Sequence, residues 1–184
     1  DVGGTGANAI DDVLPFAYEE AWDSTSHAAG AFHAFGSSTT SGALDYRTPA
    51  FSLGDLSISA TYAYDPNSGV AAPSAGAIGA GESGTAWSAK ISGMGLTIGG
   101  GHEETQAGTQ ASTGSTDLKR ATGYVKYSNG PMTIGYQEFA INAANTGANG
   151  TQAPDSEGSG MAVSFAQDNY SFSYAEIKEQ VQNI

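Results

Sequence analysis

Cysteine is absent from the 184 residues, so no disulfide can form and a thiol nucleophile is excluded. Its absence fits export through an oxidising compartment. Bases are scarce: six Lys and Arg stand against 19 Asp and Glu, for a net charge of −13. On that balance an electrostatic footprint for nucleic acid is excluded. Nowhere does an apolar run approach the roughly 20 residues of a membrane-spanning helix, which excludes a helical membrane protein. Long aliphatic side chains are sparse and alternate with small polar ones, a pattern foreign to an ordinary soluble core. The opening DVGGTGANAI has neither a basic start nor an apolar h-region. No signal peptide is read there, and a mature or truncated product is expected.

What the chain has instead is glycine (26 residues) with many Ser, Thr and Ala, arranged in short stretches of period two. Side chains alternate across a strand, so such stretches give one apolar face and one small, polar face. The clearest lies in GALDYRTPAFSLGDLSISATYAY, residues 42–64. Leu56, Ile58, Ala60, Tyr62 and Tyr64 share one parity, and Ser57, Ser59, Thr61 and Ala63 the other. Leu44, Tyr46 and Thr48 oppose Asp45 and Arg47 in the preceding strand, which Pro49 ends because it has no N–H for a ladder. Further strands are predicted at Thr85–Ser92, Leu96–Glu103, Leu118–Ser128, Met132–Phe139, Met161–Ala166 and Tyr170–Glu179. Short turns at 93–95, 129–131 and 167–169 alternate with long Gly-, Ala-, Ser- and Thr-rich loops at 65–84, 105–117 and 140–158.

That makes eight strands whose connections are alternately short and long. Short turns at one end and long loops at the other are the organisation of a transmembrane β-barrel meander. Aromatics near strand ends, at Tyr64, Tyr127, Tyr136, Phe139, Tyr170 and Tyr174, suit interfacial girdles. Residues 1–41 have no useful period and form a separate segment from the strands of 42–184. Their acidic, aromatic centre DDVLPFAYEEAWD contains no base. It is read as a long irregular loop, with Phe16, Tyr18 and Trp22 expected to pack against something.

These residues resemble a family, the general porins of Gram-negative outer membranes, alphaproteobacterial type. ALDYRTPAFSLGDLSISATYAY is similar to the stretch that follows the pore-constricting third loop. Tyr46, Arg47, Thr48, Pro49, Ala50, Phe51 and Gly54 there introduce a strand that carries Tyr62. YSNGPMTIGYQ, residues 127–137, resembles the Gly-Pro turn and alternating strand common in those porins. The resemblance covers residues 42–179. It implies an outer-membrane barrel of about 16 strands, usually trimeric, with lipid and lipopolysaccharide around it and small hydrophilic solutes and ions passing through. Residues 1–41 would then be the third loop, folded into the lumen. A full barrel of this class needs about 270 to 300 residues at about 17 per strand. The chain also ends in EQVQNI, without a terminal strand closing on Phe or Trp. The expectation is an internal piece holding about half the wall.

The resemblance implies a pore constriction with acids on the loop, for which Asp11, Asp12, Glu19, Glu20 and Asp23 are the candidates by location. A focused acidic field favours cations. The neighbouring pairs Asp11/Asp12 and Glu19/Glu20 are also candidates for a structural Ca²⁺ through hard oxygen ligands, although no EF-hand spacing exists. No other cofactor is implied. Arg47, Lys90, Arg120 and Lys126 take the parity opposite the apolar face, as does Asp45, and are read as lining the lumen. Arg47 is assigned to the constriction as the base nearest the loop. His102-Glu103-Glu104, His27 and His33 lack metal-ligand spacing. The G-x-G-x-x-G at 79–84 follows a loop and opens a strand, so the dinucleotide reading is discarded. No G-x-S-x-G or triad spacing occurs, and no enzyme is read. Two rivals share the alternation: a complete eight-stranded outer-membrane barrel with an adhesive or structural role, and a secreted β-rich carbohydrate-binding module.

Overall fold

A strand of period two pairs its backbone groups only with neighbouring strands, so eight such stretches in one chain must build a sheet. The structure, a computed structural model, describes residues 10, 13–16, 44–66, 83–106, 117–142 and 155–182. They form nine strands: β1 (Leu44–Arg47), β2 (Phe51–Leu53), β3 (Leu56–Asp65), β4 (Gly84–Gly93), β5 (Leu96–Thr105), β6 (Leu118–Asn129), β7 (Met132–Asn142), β8 (Asp155–Gln167) and β9 (Tyr170–Gln182). The sheet order is β1-β3-β4-β5-β6-β7-β8-β9, with β2 also on β3, and the pairings between neighbours are antiparallel. It is a single meander. Among the described residues the two edges, β1/β2 and β9, do not pair with each other.

The additional strand is β2, inside the stretch expected to be a plain connection. Arg47 faces Thr61 and Phe51 faces Ile58, so three edge residues (48–50) lie opposite two (59–60). That is a bulge, placed where Pro49 has no N–H to give. Thr48 repairs the ladder there: its N–H donates to the Ala60 carbonyl at 2.9 Å, and its Oγ1 accepts from the Ala60 N–H at 2.9 Å.

The ladders also run further than the hydrophobic alternation. β8 begins at Asp155, within residues expected to be loop, because DSEGSG has no apolar parity yet pairs with both β7 and β9. β5 and β7 likewise reach Thr105 and Asn142, and β9 reaches Gln182. Four two-residue turns, at 54–55, 94–95, 130–131 and 168–169, lie at the end of the sheet opposite the long connections. At 94–95 both residues have positive φ (51° and 79°), the primed turn whose twist matches its flanking strands.

The faces are inverted relative to a soluble sheet. Residues of the apolar parity are exposed: Ile98 is 51 % accessible, Ile134 53 % and Phe172 61 %, and Tyr62, Trp87, Val125 and Tyr136 share that face. Most buried strand residues are small or polar, including Ala63, Ala86, Ser88, Thr122, Gln137 and Ala162; Tyr124 and Phe139 are the large apolar ones among the described strands. The inner face is tight because glycine sits opposite bulk. Tyr124 lies over Gly99 and Phe139 over Gly158, each its register partner. Phe139 therefore does not belong to an outer girdle. Its odd position in β7 turns it inward, where it is buried against Ile141 and Ile177. Among the described residues no helix is long and apolar enough to cross a membrane.

A Cβ on Gly158 would lie 2.5 Å from both the Lys178 carbonyl oxygen and the Phe139 ring. Gly158→Ala should therefore cost about 1–3 kcal/mol, as overpacking does. The shift in urea midpoint of the folded protein measures it, and an unchanged midpoint would contradict the packing.

Candidate functional site

The inner face is not bare. Residues 10 and 13–16, from the segment read as a loop, lie across it. Ile10 packs on Ala63, Ala86 and Tyr124, with Val13 beside them. Leu14 packs on Ala162, Ala175 and Ile177. The buried Gln137 anchors the first of these contacts: its Nε2 donates to the Ile10 carbonyl at 3.1 Å and to Thr122 Oγ1 at 2.9 Å. Thr122 Oγ1 in turn donates to the Glu138 carbonyl at 2.9 Å. Packing by this segment was expected of Phe16, Tyr18 and Trp22. Phe16 is exposed, and the aliphatic residues and Pro15 make the contacts instead; Tyr18 and Trp22 lie outside the described residues.

Three of the expected lumenal bases step diagonally over this face. Arg47 faces Thr61, Lys90 faces Ser59, and Lys126 faces Thr97, two residues along β5 from the Gly99 that faces Lys90. Arg47 and Lys90 share a cavity of about 240 Å³ with Ile10, Thr48, Ser59, Thr61, Ser88 and Tyr124. Thr61 and Ser88 close its floor through a hydroxyl pair at 2.7 Å. Arg47 is held by Asp45, Nε to Oδ2 at 2.7 Å, while exposed to solvent. Lys90 and Lys126 make no ion pair among the described residues. Tyr124 brings an aromatic side chain to the cavity that Arg47 and Lys90 share.

Arg120 stands apart from the other three. It lies six residues from Lys126 along β6, towards the long connections, and pairs with its register partner Glu103 at 3.1 Å. Glu103 is 1 % and Arg120 16 % accessible at the side chain, so this pair belongs to the packed inner layer. His102-Glu103-Glu104 is split by the pleat. His102 stacks on Trp87 and Glu104 meets Lys119 at 3.5 Å on the outer face, while Glu103 points inward. Among the described residues no group of three His, Cys, Asp or Glu is placed to hold a metal ion. The acidic candidates Asp11, Asp12, Glu19, Glu20 and Asp23, and with them the Ca²⁺ reading, lie outside the described residues.

Sequence reasoning passed over Tyr124, Gln137 and the Ile10–Pro15 contacts. One signal was available for the first two. Tyr124 and Gln137 lie on the inward parity directly after the small residues Thr122 and Gly135, and an inward bulky side chain needs something to rest against.

Arg120→Ala leaves Glu103 buried without its guanidinium, which should cost about 3–5 kcal/mol. Adding Glu103→Ala should recover part of that loss. A denaturant series on the two variants checks both, and equal stabilities would contradict the pairing. No family model, curated protein or solved structure matches the chain.

Proposed function

We propose that the chain forms part of the wall and the constriction of an outer-membrane porin, a water-filled channel through which small hydrophilic solutes diffuse passively. The observation that carries this reading is the inverted burial. A curtain of Ile, Val, Leu and aromatic side chains on the outside suits lipid, because hydrocarbon tolerates such a surface and water does not. The polar inner face, with an irregular backbone segment laid across it, suits a water-filled lumen. Backbone outside a ladder is tolerated at membrane depth only where protein or a wet cavity satisfies it.

Among the described residues the nine-stranded meander does not pair edge to edge, which supports a wall section of a larger barrel, of about 16 strands, over a complete small barrel. It also supports the porin over a sandwich module, which would need a second sheet. No bond is made or broken in this activity. Solutes are sorted by width and by field, with Arg47, Lys90 and Lys126 supplying positive charge on the wall and the 1–41 segment, which has acids and no Lys or Arg, supplying negative charge. The excess of carboxylates there makes the channel cation-preferring.

Reversal potentials across planar bilayers in a salt gradient test the charge assignment, with cation preference expected; anion preference would overturn it. Lys90→Gln should raise the cation-to-anion permeability ratio by up to about five-fold, since one charge at roughly 4 Å across water is worth about 1 kcal/mol. The outer face has its own test. Ala89 is exposed between Ile91 and Trp87 on β4. Ala89→Arg should lose about 2–4 kcal/mol when unfolded from vesicles if it faces mid-membrane. A loss near zero would remove the lipid assignment.

A further inference from the structure

The inner face has two recesses, each floored by a register pair of small residues, and each is filled by the same short segment. Ala63 pairs with Ala86, and Ile10 rests on them. Gly135 pairs with Ala162, and Leu14 and Pro15 rest there. The second seat is the closer fit: a Cβ on Gly135 would lie 2.6 Å from Pro15 Cδ and 3.6 Å from Leu14 Cδ2. Leu14 is only 2 % accessible. Between the seats, Gln137 holds the Ile10 carbonyl. A segment tethered at two apolar points and one hydrogen bond has a set height above the wall.

We propose that Gly135, with Gln137, is a positioning residue: it sets how far Ile10, Leu14 and Pro15 project into the lumen, and through that the conductance of the channel. The inference rests on the pore reading above. It adds that aperture width is fixed by the absence of a single methyl group on β7. Restoring that methyl would push Pro15 out to ordinary carbon–carbon contact at about 3.6 Å, a displacement of about 1 Å towards the pore axis. Proline is the residue that makes this seat sensitive, since its ring cannot rotate aside.

The experiment is single-channel recording on the intact protein in planar bilayers. Gly135→Ala should lower the conductance by about a third, as a narrower aperture does. Pro15→Ala/Gly135→Ala, which removes the clashing Cδ, should return it to the parent value. A merely structural glycine would change yield or stability without rescue by a substitution at position 15. If the parent protein conducts and Gly135→Ala leaves its conductance unchanged or raises it, the seat is overturned and the pore reading stands. If the parent forms no channel, both fall. A second measurement covers poor folding of the variant. Leu14 is 2 % accessible, so Leu14→Cys, in a chain with no other cysteine, should resist a maleimide in the folded protein and react once the protein is unfolded. Rapid labelling of the folded protein would overturn the seating without reference to conductance.

Discussion

Everything in this molecule depends on the continuity of the ladder from β3 to β9. Consecutive strands pair over nine residues or more, from Asp65–Gly84 at one corner to Gln167–Tyr170 at the other. Backbone N–H and C=O groups are spent on neighbours, so the two faces are free to differ. One face carries side chains that water would reject, and the other carries hydroxyls, amides and charges. A break in the ladder inside hydrocarbon would expose groups each costing several kcal/mol. The one described irregularity, at Thr48–Ala50, falls on the edge strand and is mended by the Thr48 hydroxyl.

Given that ladder, a residue's parity decides its role, and most of the fold was legible for that reason. The period-two stretches put Ile58, Trp87, Ile98 and Tyr136 on one side and Ser59, Lys90 and Thr122 on the other. Legibility ended where parity stopped carrying a hydrophobic difference. Residues 155–160 are polar on both sides, so the first half of β8 has no sequence signature; only its pairing partners reveal it. Phe139 shows the converse error. Its chemistry suggests a girdle, but its position in β7 turns it inward, and Gly158 opposite supplies the space.

The candidate site was less legible than the wall. The four bases could be assigned to a face from parity, but not to neighbours. Register separates Arg120, bound to Glu103, from the diagonal of Arg47, Lys90 and Lys126. The segment over the inner face could be recognised only as aperiodic. Ile10, Leu14 and Pro15 are unremarkable in sequence, and their importance comes from Ala63, Ala86, Gly135 and Ala162, four small residues scattered over a hundred positions. A vacancy on a surface leaves no mark in a sequence until its occupant is seen.

The hydrogen bond from Gln137 to the Ile10 carbonyl has a consequence for how the chain assembles. Each wall strand finds its partner next along the chain, across a turn or one loop, so the sheet can grow hairpin by hairpin at low contact order. The Gln137–Ile10 contact spans 127 residues and needs β7 already in place. Sheet and packed segment are therefore ordered in time: the sheet forms from local pairings, and Ile10 settles only onto a surface that the later strands complete.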